Sequence, residues 1–238
     1  MDSLAQTKMK STTIPTSSRQ ERLKVRKQER AKYTKWYFEN MYWVEDFSGE
    51  KHYRKFNYSD PTHEKRFVYL TEILEKHFKF KNILDVGCGM GHMVRNLLKR
   101  CYKVKGVDIS QDAIKFFMPD LAKEKIVSHA GVEKLPFKNN QFDLVFCSDV
   151  MEHIPISDVA DSIKELARVA RKYLVLTINL DHPYEYHPTI LPRKTWWELF
   201  LANGKLKHSK HLEQKIEKET KRRYNEYDWF VFKKISTQ

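Results

Sequence analysis

The run ILDVGCGMGHM, residues 83–93, gathers residue types suited to holding a small charged ligand. A hydrophobic stretch delivers Asp85 and then turns through Gly87, Gly89 and Gly91. Glycines there let the backbone approach a ligand that a Cβ would hold off, and they permit a positive φ. The spacing also sorts ligands. A dinucleotide turn wants its third glycine at the sixth position of the motif, where this chain has His92, and the Gly-Lys-Ser/Thr ending of a phosphate loop is missing. A nucleoside without a pyrophosphate fits better. A carboxylate at Asp85 suits a cationic ammonium, and Asp108, at the roughly 20-residue separation of a ribose-binding acid, could accept from two ribose hydroxyls.

Adenosine plus an ammonium describes S-adenosylmethionine, and the residues carry a wider resemblance. Segment 83–93 resembles motif I of the class I S-adenosylmethionine-dependent methyltransferases. Asp108 resembles their ribose-binding acid, and LPFKNNQFDLVFCSDVMEHI, residues 135–154, resembles the segment around their fourth strand. The resemblance covers about residues 60–205 and is similar above all to the branch acting on quinone, sugar and natural-product intermediates. It implies an α/β, Rossmann-like methyltransferase fold, with a mostly parallel seven-stranded sheet and helices on both faces, and S-adenosylmethionine as cofactor. It further implies Gly87, Gly89 and Gly91 on the methionine side, Ile109 against the adenine, Val132 and Glu133 at its border, and Ser148 within the same site. One departure is Gly131, where relatives often place Asp.

On the acceptor side the candidates are His153 and Asp149, both in the SDVMEHIP segment after the fourth strand. An imidazole with an ordinary pKa of about 6.5 could take a proton from an attacking hydroxyl; it could equally cap or pack its loop. Asp149 could orient an acceptor or stand in water. The stretch 181–197, DHPYEYHPTILPRKTWW, would overhang the acceptor pocket, with Tyr184, Tyr186, His187 and Arg193 available to a polar ring or an anionic group. Trp43, in the aromatic stretch 33–58 with Trp36, Tyr37 and Tyr53, could close over the ligands or simply pack. His182 and His187 lack a convincing partner set for a metal, so none is expected.

These residues need elements to hold them. Asp60-Pro61 reads as a helix start, running to about Phe78 with Phe67, Leu70, Ile73 and Leu74 inward. Strands are predicted at Asn82–Val86, Lys103–Val107, Ile126–Ser128, Phe142–Cys147 and Tyr173–Ile178. Helices are predicted at Gly91–Cys101, from Ser110 to about Phe117, and at Ser157–Lys172. Thr195 and Glu198 form a capping-box pattern for a further helix ending near Gly204, and two late strands fall around Leu206–Leu212 and Trp229–Ile235. Alternating strands and helices imply a parallel sheet covered on both faces.

The 238 residues suit one domain with appendages. Residues 1–30 are polar and basic, the composition of a mobile tail with some helix near its end; 31–59 form the aromatic lid or packing segment; and 60–238 form the methyltransferase domain. No run of 18 apolar residues and no secretory leader is present, so a cytoplasmic protein without membrane insertion is expected. Cys88, Cys101 and Cys147 are odd in number and far apart, and read as reduced core thiols. The formal charge is +13, carried mainly by the flanks: Lys and Arg against Asp and Glu number 13 to 8 in residues 1–60, 21 to 18 in 61–200 and 10 to 5 in 201–238. A small biosynthetic metabolite, acting through O or N and sugar-like in character, is therefore the expected acceptor, with the basic tail dispensable for chemistry. Two alternatives are an RNA methyltransferase that grips phosphates through its flanks and a silent cofactor-binding module. The oligomeric state has no sequence signal.

Overall fold

Apolar runs that alternate with amphipathic helices give one twisted sheet with two helical layers. The computed structural model describes residues 18–40, 42–46, 51–55, 61–181, 186–221 and 228–235; for 42–46, 51–55 and 61–63 it describes the backbone only. In chain order the elements are α1 (Arg19–Arg30), α2 (Lys35–Asn40), β1 (Tyr42–Asp46), β2 (Lys51–Lys55), α3 (Pro61–His77), β3 (Asn82–Val86), α4 (His92–Lys99), β4 (Lys103–Asp108), α5 (Pro119–Lys123) and β5 (Val127–His129). There follow β6 (Phe142–Ser148), α6 (Ile156–Val169), β7 (Ala170–Thr177), α7 (Arg193–Ala202), β8 (Leu206–His208), α8 (Lys210–Thr220) and β9 (Trp229–Lys234). The hairpin β1–β2 stands apart from the main sheet, whose order is β5-β4-β3-β6-β7-β9-β8. The strands from β5 to β7 are parallel, whereas β9 runs antiparallel to both β7 and β8. This is the seven-stranded, mostly parallel sheet expected.

Strand residues alternate between the two layers because successive side chains leave opposite faces. Ile83 joins one core with Leu70, Ile73 and Leu74 of α3, Val94 and Leu97 of α4, and Ile216 of α8. Leu84 and Val86 join the other, with Val159, Ile163 and Leu166 of α6 and Trp196 and Phe200 of α7. Strand β6 is buried along nearly its whole length, as a strand covered on both faces must be. Its one carboxylate, Asp143, is satisfied at the strand's start by the Lys81 N–H at 3.0 Å and by Arg171 and Lys172.

Several boundaries differ from the sequence reading. Helix α6 stops at Val169, and Ala170–Lys172 open β7, because Ala170 pairs with Phe142 across a register shift. The Thr195–Glu198 capping box does not form: the N-cap of α7 falls three residues earlier, at Pro192, with no side-chain cap. Proline at the cap and the Arg193 contacts described below set that start instead. The late strand ends at His208, and α8 follows, burying only Glu213, Ile216 and Thr220. Cys101 is exposed at φ 61°, so only Cys88 and Cys147 are core thiols.

The N-terminal segment is the largest difference. Residues 19–30 form helix α1, opened by a capping box in which Ser18 Oγ accepts from the Glu21 N–H and Glu21 Oε2 accepts from the Ser18 N–H, at 3.2 and 2.7 Å. No α1 residue is buried. Polar contacts dock it instead: Arg22 with Asp161, and Arg26 with Asp158 through two bonds of 2.5 and 2.9 Å.

Candidate functional site

The sheet order reverses at β3, whose neighbours are β4 on one side and β6 on the other, and such a switch point opens a crevice beyond the strands' carboxyl ends. Gly87 and Gly89 turn the chain out of β3 at φ 75° and 53°. A Cβ on Gly87 would stand 2.3 Å from Val150 Cγ2, so no other residue fits without displacing the wall of the crevice. A Cβ on Gly89 would meet only the Phe38 ring, at 3.7 Å, and otherwise point into open space. Gly91, at φ 81°, caps α4 and faces Met118 rather than the crevice.

Two carboxylates lie at the bottom. Asp85 is buried and its carboxylate makes no hydrogen bond to a described residue; burial, with Asp108 nearby, raises its pKa to about 7. Asp108 accepts from the Gly89 and Ser110 N–H groups, each at 2.8 Å. Burial still raises it to about 6 against the pull of those donors. Around these acids, Ile109, Val132, Glu133 and Ser148 line the same cavity. A buried carboxylate without a partner, beside a backbone turn kept clear of side chains, fits the ammonium end of S-adenosylmethionine. The second acid fits its ribose.

Helices α1 and α2 cover this crevice. Arg26, Arg30, Tyr33, Tyr37 and Phe38 all line it, so the tail expected for residues 1–30 includes part of the wall. Arg30 forms an ion pair with Glu133, and Arg26 lies 3.6 Å from the same carboxylate. Gly131 acquires a reason here. A Cβ there would fall 2.3 Å from Glu133 Oε2 and 2.8 Å from Arg30 Nη2. The space beside its Cα is taken by an ion pair from the N-terminal helix. Ser110 Oγ, donating to the Tyr33 carbonyl at 2.5 Å, and Asp112, accepting from the Lys35 N–H at 2.8 Å, tie down the link between the two helices.

The acceptor-side candidates separate on inspection. Asp149 sits at φ 53° after β6 and lines the cavity, but its carboxylate accepts from Arg66 at 2.7 Å and from Thr177 Oγ1 at 2.9 Å. It positions Arg66, a cavity-lining cation that the sequence reading missed. His153 lines the cavity too, on the single 3₁₀ turn Met151–His153. Its Nδ1–H donates to the Tyr186 carbonyl at 2.8 Å, which leaves the lone pair on Nε2, and Tyr33 Oη is 3.0 Å from the same Nδ1. Burial, and then the neighbouring His187, lower its pKa to about 3. That value lies below the near-neutral one expected from the sequence.

Tyr186 contributes its carbonyl and packs at ring-centroid distances of 5.1 and 6.2 Å from Tyr37 and Tyr33. His187 is buried with its ring 4.6 Å from that of His153. Arg193 is not in the crevice. It reaches away, to Asp228, to Glu217 at 2.6 Å and to the Trp229 carbonyl at 3.0 Å, joining α7 to α8 and β9. Trp36 is 58% exposed and covers nothing, whereas Tyr37 is buried. Tyr184 and the Trp43 and Tyr53 side chains lie outside the described residues.

Comparison with known proteins agrees with this architecture. Residues 84–176 match a family described as a methyltransferase domain. An uncharacterised protein of Methanocaldococcus jannaschii is 34% identical over 112 residues, covering 46% of this chain and 47% of its own. A ubiquinone biosynthesis O-methyltransferase of Alkalilimnicola ehrlichii is 28% identical, covering 53% and 57%. The chain thus spans about half the length of these curated relatives. Among solved structures, the PH0226 protein of Pyrococcus horikoshii superposes with a TM-score of 0.59 at 17% identity, covering 74% of this chain and 93% of that one. A methyltransferase of Archaeoglobus fulgidus gives 0.53 at 16%, covering 72% and 94%.

Proposed function

We propose that the protein, whose core is a class I S-adenosylmethionine-dependent methyltransferase domain, transfers a methyl group to an oxygen or nitrogen of a small biosynthetic metabolite. The observation that carries this reading is the shared lining of one partly covered cavity. The acids Asp85 and Asp108 share one crevice with the acceptor-side residues Arg66, Asp149 and His153, and helices α1 and α2 lie over it. Such a chamber suits a compact acceptor better than an RNA strand. Arg26 and Arg30 point the same way, since both are spent on Asp158 and Glu133 and not offered to phosphates.

S-adenosylmethionine supplies an electrophilic methyl on sulfonium, and transfer by in-line displacement depends chiefly on positioning. Asp85 holds the ammonium, Asp108 holds the ribose, and Ile109 with Val132 flanks the adenine. Arg66, steadied by Asp149, meets a polar or anionic group on the acceptor. Tyr33, Tyr37 and Phe38 exclude water from the reacting end.

The test is to incubate the protein with methyl-labelled cofactor and, separately, total RNA and a metabolite extract. Label entering the small-molecule fraction is expected. Stoichiometric label at one RNA site would replace this reading with the RNA one, and cofactor binding without transfer to either fraction would favour a silent module.

A further inference from the structure

Behind the acceptor wall, Glu152, His153 and His187 bring three metal-capable side chains together, with one donor atom from each within 4.8 Å of the others. Two are adjacent in sequence, and the third arrives from the segment after β7. That segment is held firmly at this point. The Thr189 N–H donates to the Glu152 carbonyl at 3.1 Å, Thr189 Oγ1 donates to the Ile154 carbonyl at 2.6 Å, and the Tyr186 carbonyl accepts from His153 Nδ1. His187 is therefore anchored on both sides.

We propose that Glu152, His153 and His187 bind a single divalent transition-metal ion of the zinc or iron(II) kind. The first support is Glu152 itself. It is completely buried; Oε1 accepts from the Asn179 N–H at 3.0 Å, and Oε2 has no hydrogen-bond partner. A buried carboxylate oxygen left without a donor is costly, and a cation beside it removes that cost. Second, the His153 hydrogen bond is of the kind that orients a metal-ligating imidazole, one ring nitrogen donating to a backbone carbonyl and the other keeping its lone pair. Third, two imidazoles with one carboxylate are a donor set for zinc or iron(II), whereas magnesium and calcium prefer oxygen throughout. Donors at about 2.1 Å from a tetrahedral ion lie about 3.4 Å apart, so these three need draw together by at most about 1.4 Å.

The site rests on the methyltransferase reading only in its location. His153 is the residue shared between metal and cavity, so a remaining coordination position would favour an acceptor that offers an oxygen donor. Sequence reasoning expected no metal because His187 lacked partners in the linear chain; folding supplies them.

The experiment uses the full chain, stripped with a chelator and dialysed against zinc(II). Metal content, cobalt(II) absorption and S-adenosylhomocysteine binding are measured on wild type, His187→Asn and Glu152→Gln. One zinc per chain is expected, displaceable by cobalt with the visible bands of a four- or five-coordinate site, and at least about tenfold weaker binding in each variant. His187→Asn, which keeps a polar side chain at that buried position, serves where Glu152→Gln fails to fold. Two results overturn the proposal: no stoichiometric uptake by a wild-type protein that still binds S-adenosylhomocysteine, or uptake unchanged in a folded variant, which would mark adventitious binding by surface histidines. Loss of S-adenosylhomocysteine binding by the wild type would instead count against the proposed function.

Discussion

Replacing Asp85 with Asn should stabilise the ligand-free protein at neutral pH while weakening its grip on the cofactor. The folded chain raises the Asp85 pKa from 3.8 to about 7. Between those values the folded state holds a proton that the unfolded state has lost, so wild-type stability falls as pH rises through the window. Three units at 1.36 kcal/mol each amount to about 4 kcal/mol of lost stability by pH 8. Asparagine keeps the shape and does not titrate. The stability of Asp85→Asn relative to wild type should therefore climb by about 1.4 kcal/mol per pH unit from pH 4 to pH 7 and then level off. Urea unfolding of both proteins between pH 4.5 and 8.5, without ligand, gives this difference directly and cancels the groups they share. With saturating S-adenosylhomocysteine the order should reverse above pH 7, because only the carboxylate rewards the ligand's ammonium. Parallel stability profiles for the two proteins would refute the argument, since they would mean that Asp85 enters the fold already ionised.

Three further outcomes follow from contacts outside the acid pair. Arg26→Ala with Arg30→Ala should raise the dissociation constant for S-adenosylhomocysteine by about three- to tenfold, the worth of two half-exposed ion pairs, and calorimetry at low and high salt should find the variant less salt-sensitive than wild type. Asp143 is driven up by burial but held at about 2 by the Lys81 N–H, Arg171 and Lys172; its contribution, about 2 kcal/mol, is present above pH 4 and lost as pH falls towards 2. Acid unfolding of Asp143→Asn should accordingly lack that component of the wild-type transition. Arg193→Ala should lower stability by about 1–3 kcal/mol in a thermal melt while leaving cofactor affinity within twofold, as expected of a residue that joins α7 to α8 and β9.

The cofactor half of the site was legible because its constraints are local. Gly87 and Gly89 both take a positive φ, Gly87 must also clear Val150, and Asp85 and Asp108 lie at the ends of strands whose apolar runs are plain in the sequence. The acceptor half depends on long-range meetings that leave no local pattern. Arg66 sits in the first turns of α3 and looks like any surface arginine until Asp149, 83 residues on, draws it inward. His153 reads as a near-neutral base because nothing in SDVMEHIP announces that Tyr33 and His187 will bury it. Helix α8 was missed because Lys210–Thr220 is mostly charged and turns only Glu213, Ile216 and Thr220 inward. Helix α1 was half seen. Ser18 and Glu21 spell its capping box, but a helix whose two apolar residues, Leu23 and Val25, both stay exposed carries no apolar stripe to say that it docks.

The position of β9 bears on how the chain can be made. It lies between β7 and β8, with Trp229, Phe230, Val231 and Phe232 all fully buried, yet it is the last described strand. A chain emerging from the ribosome can pair β3 with β4 and β6, and β6 with β7, well before residue 229 exists. Among the described residues strand β8 pairs only with β9, so it must wait, and the outer edge of β7 stays open with it. Until then a nascent chain presents an unpaired strand edge flanked by Trp197 and Phe200, whose ring partners Phe230 and Phe232 come from β9. That exposure makes the interval before β9 has been made the aggregation-prone one.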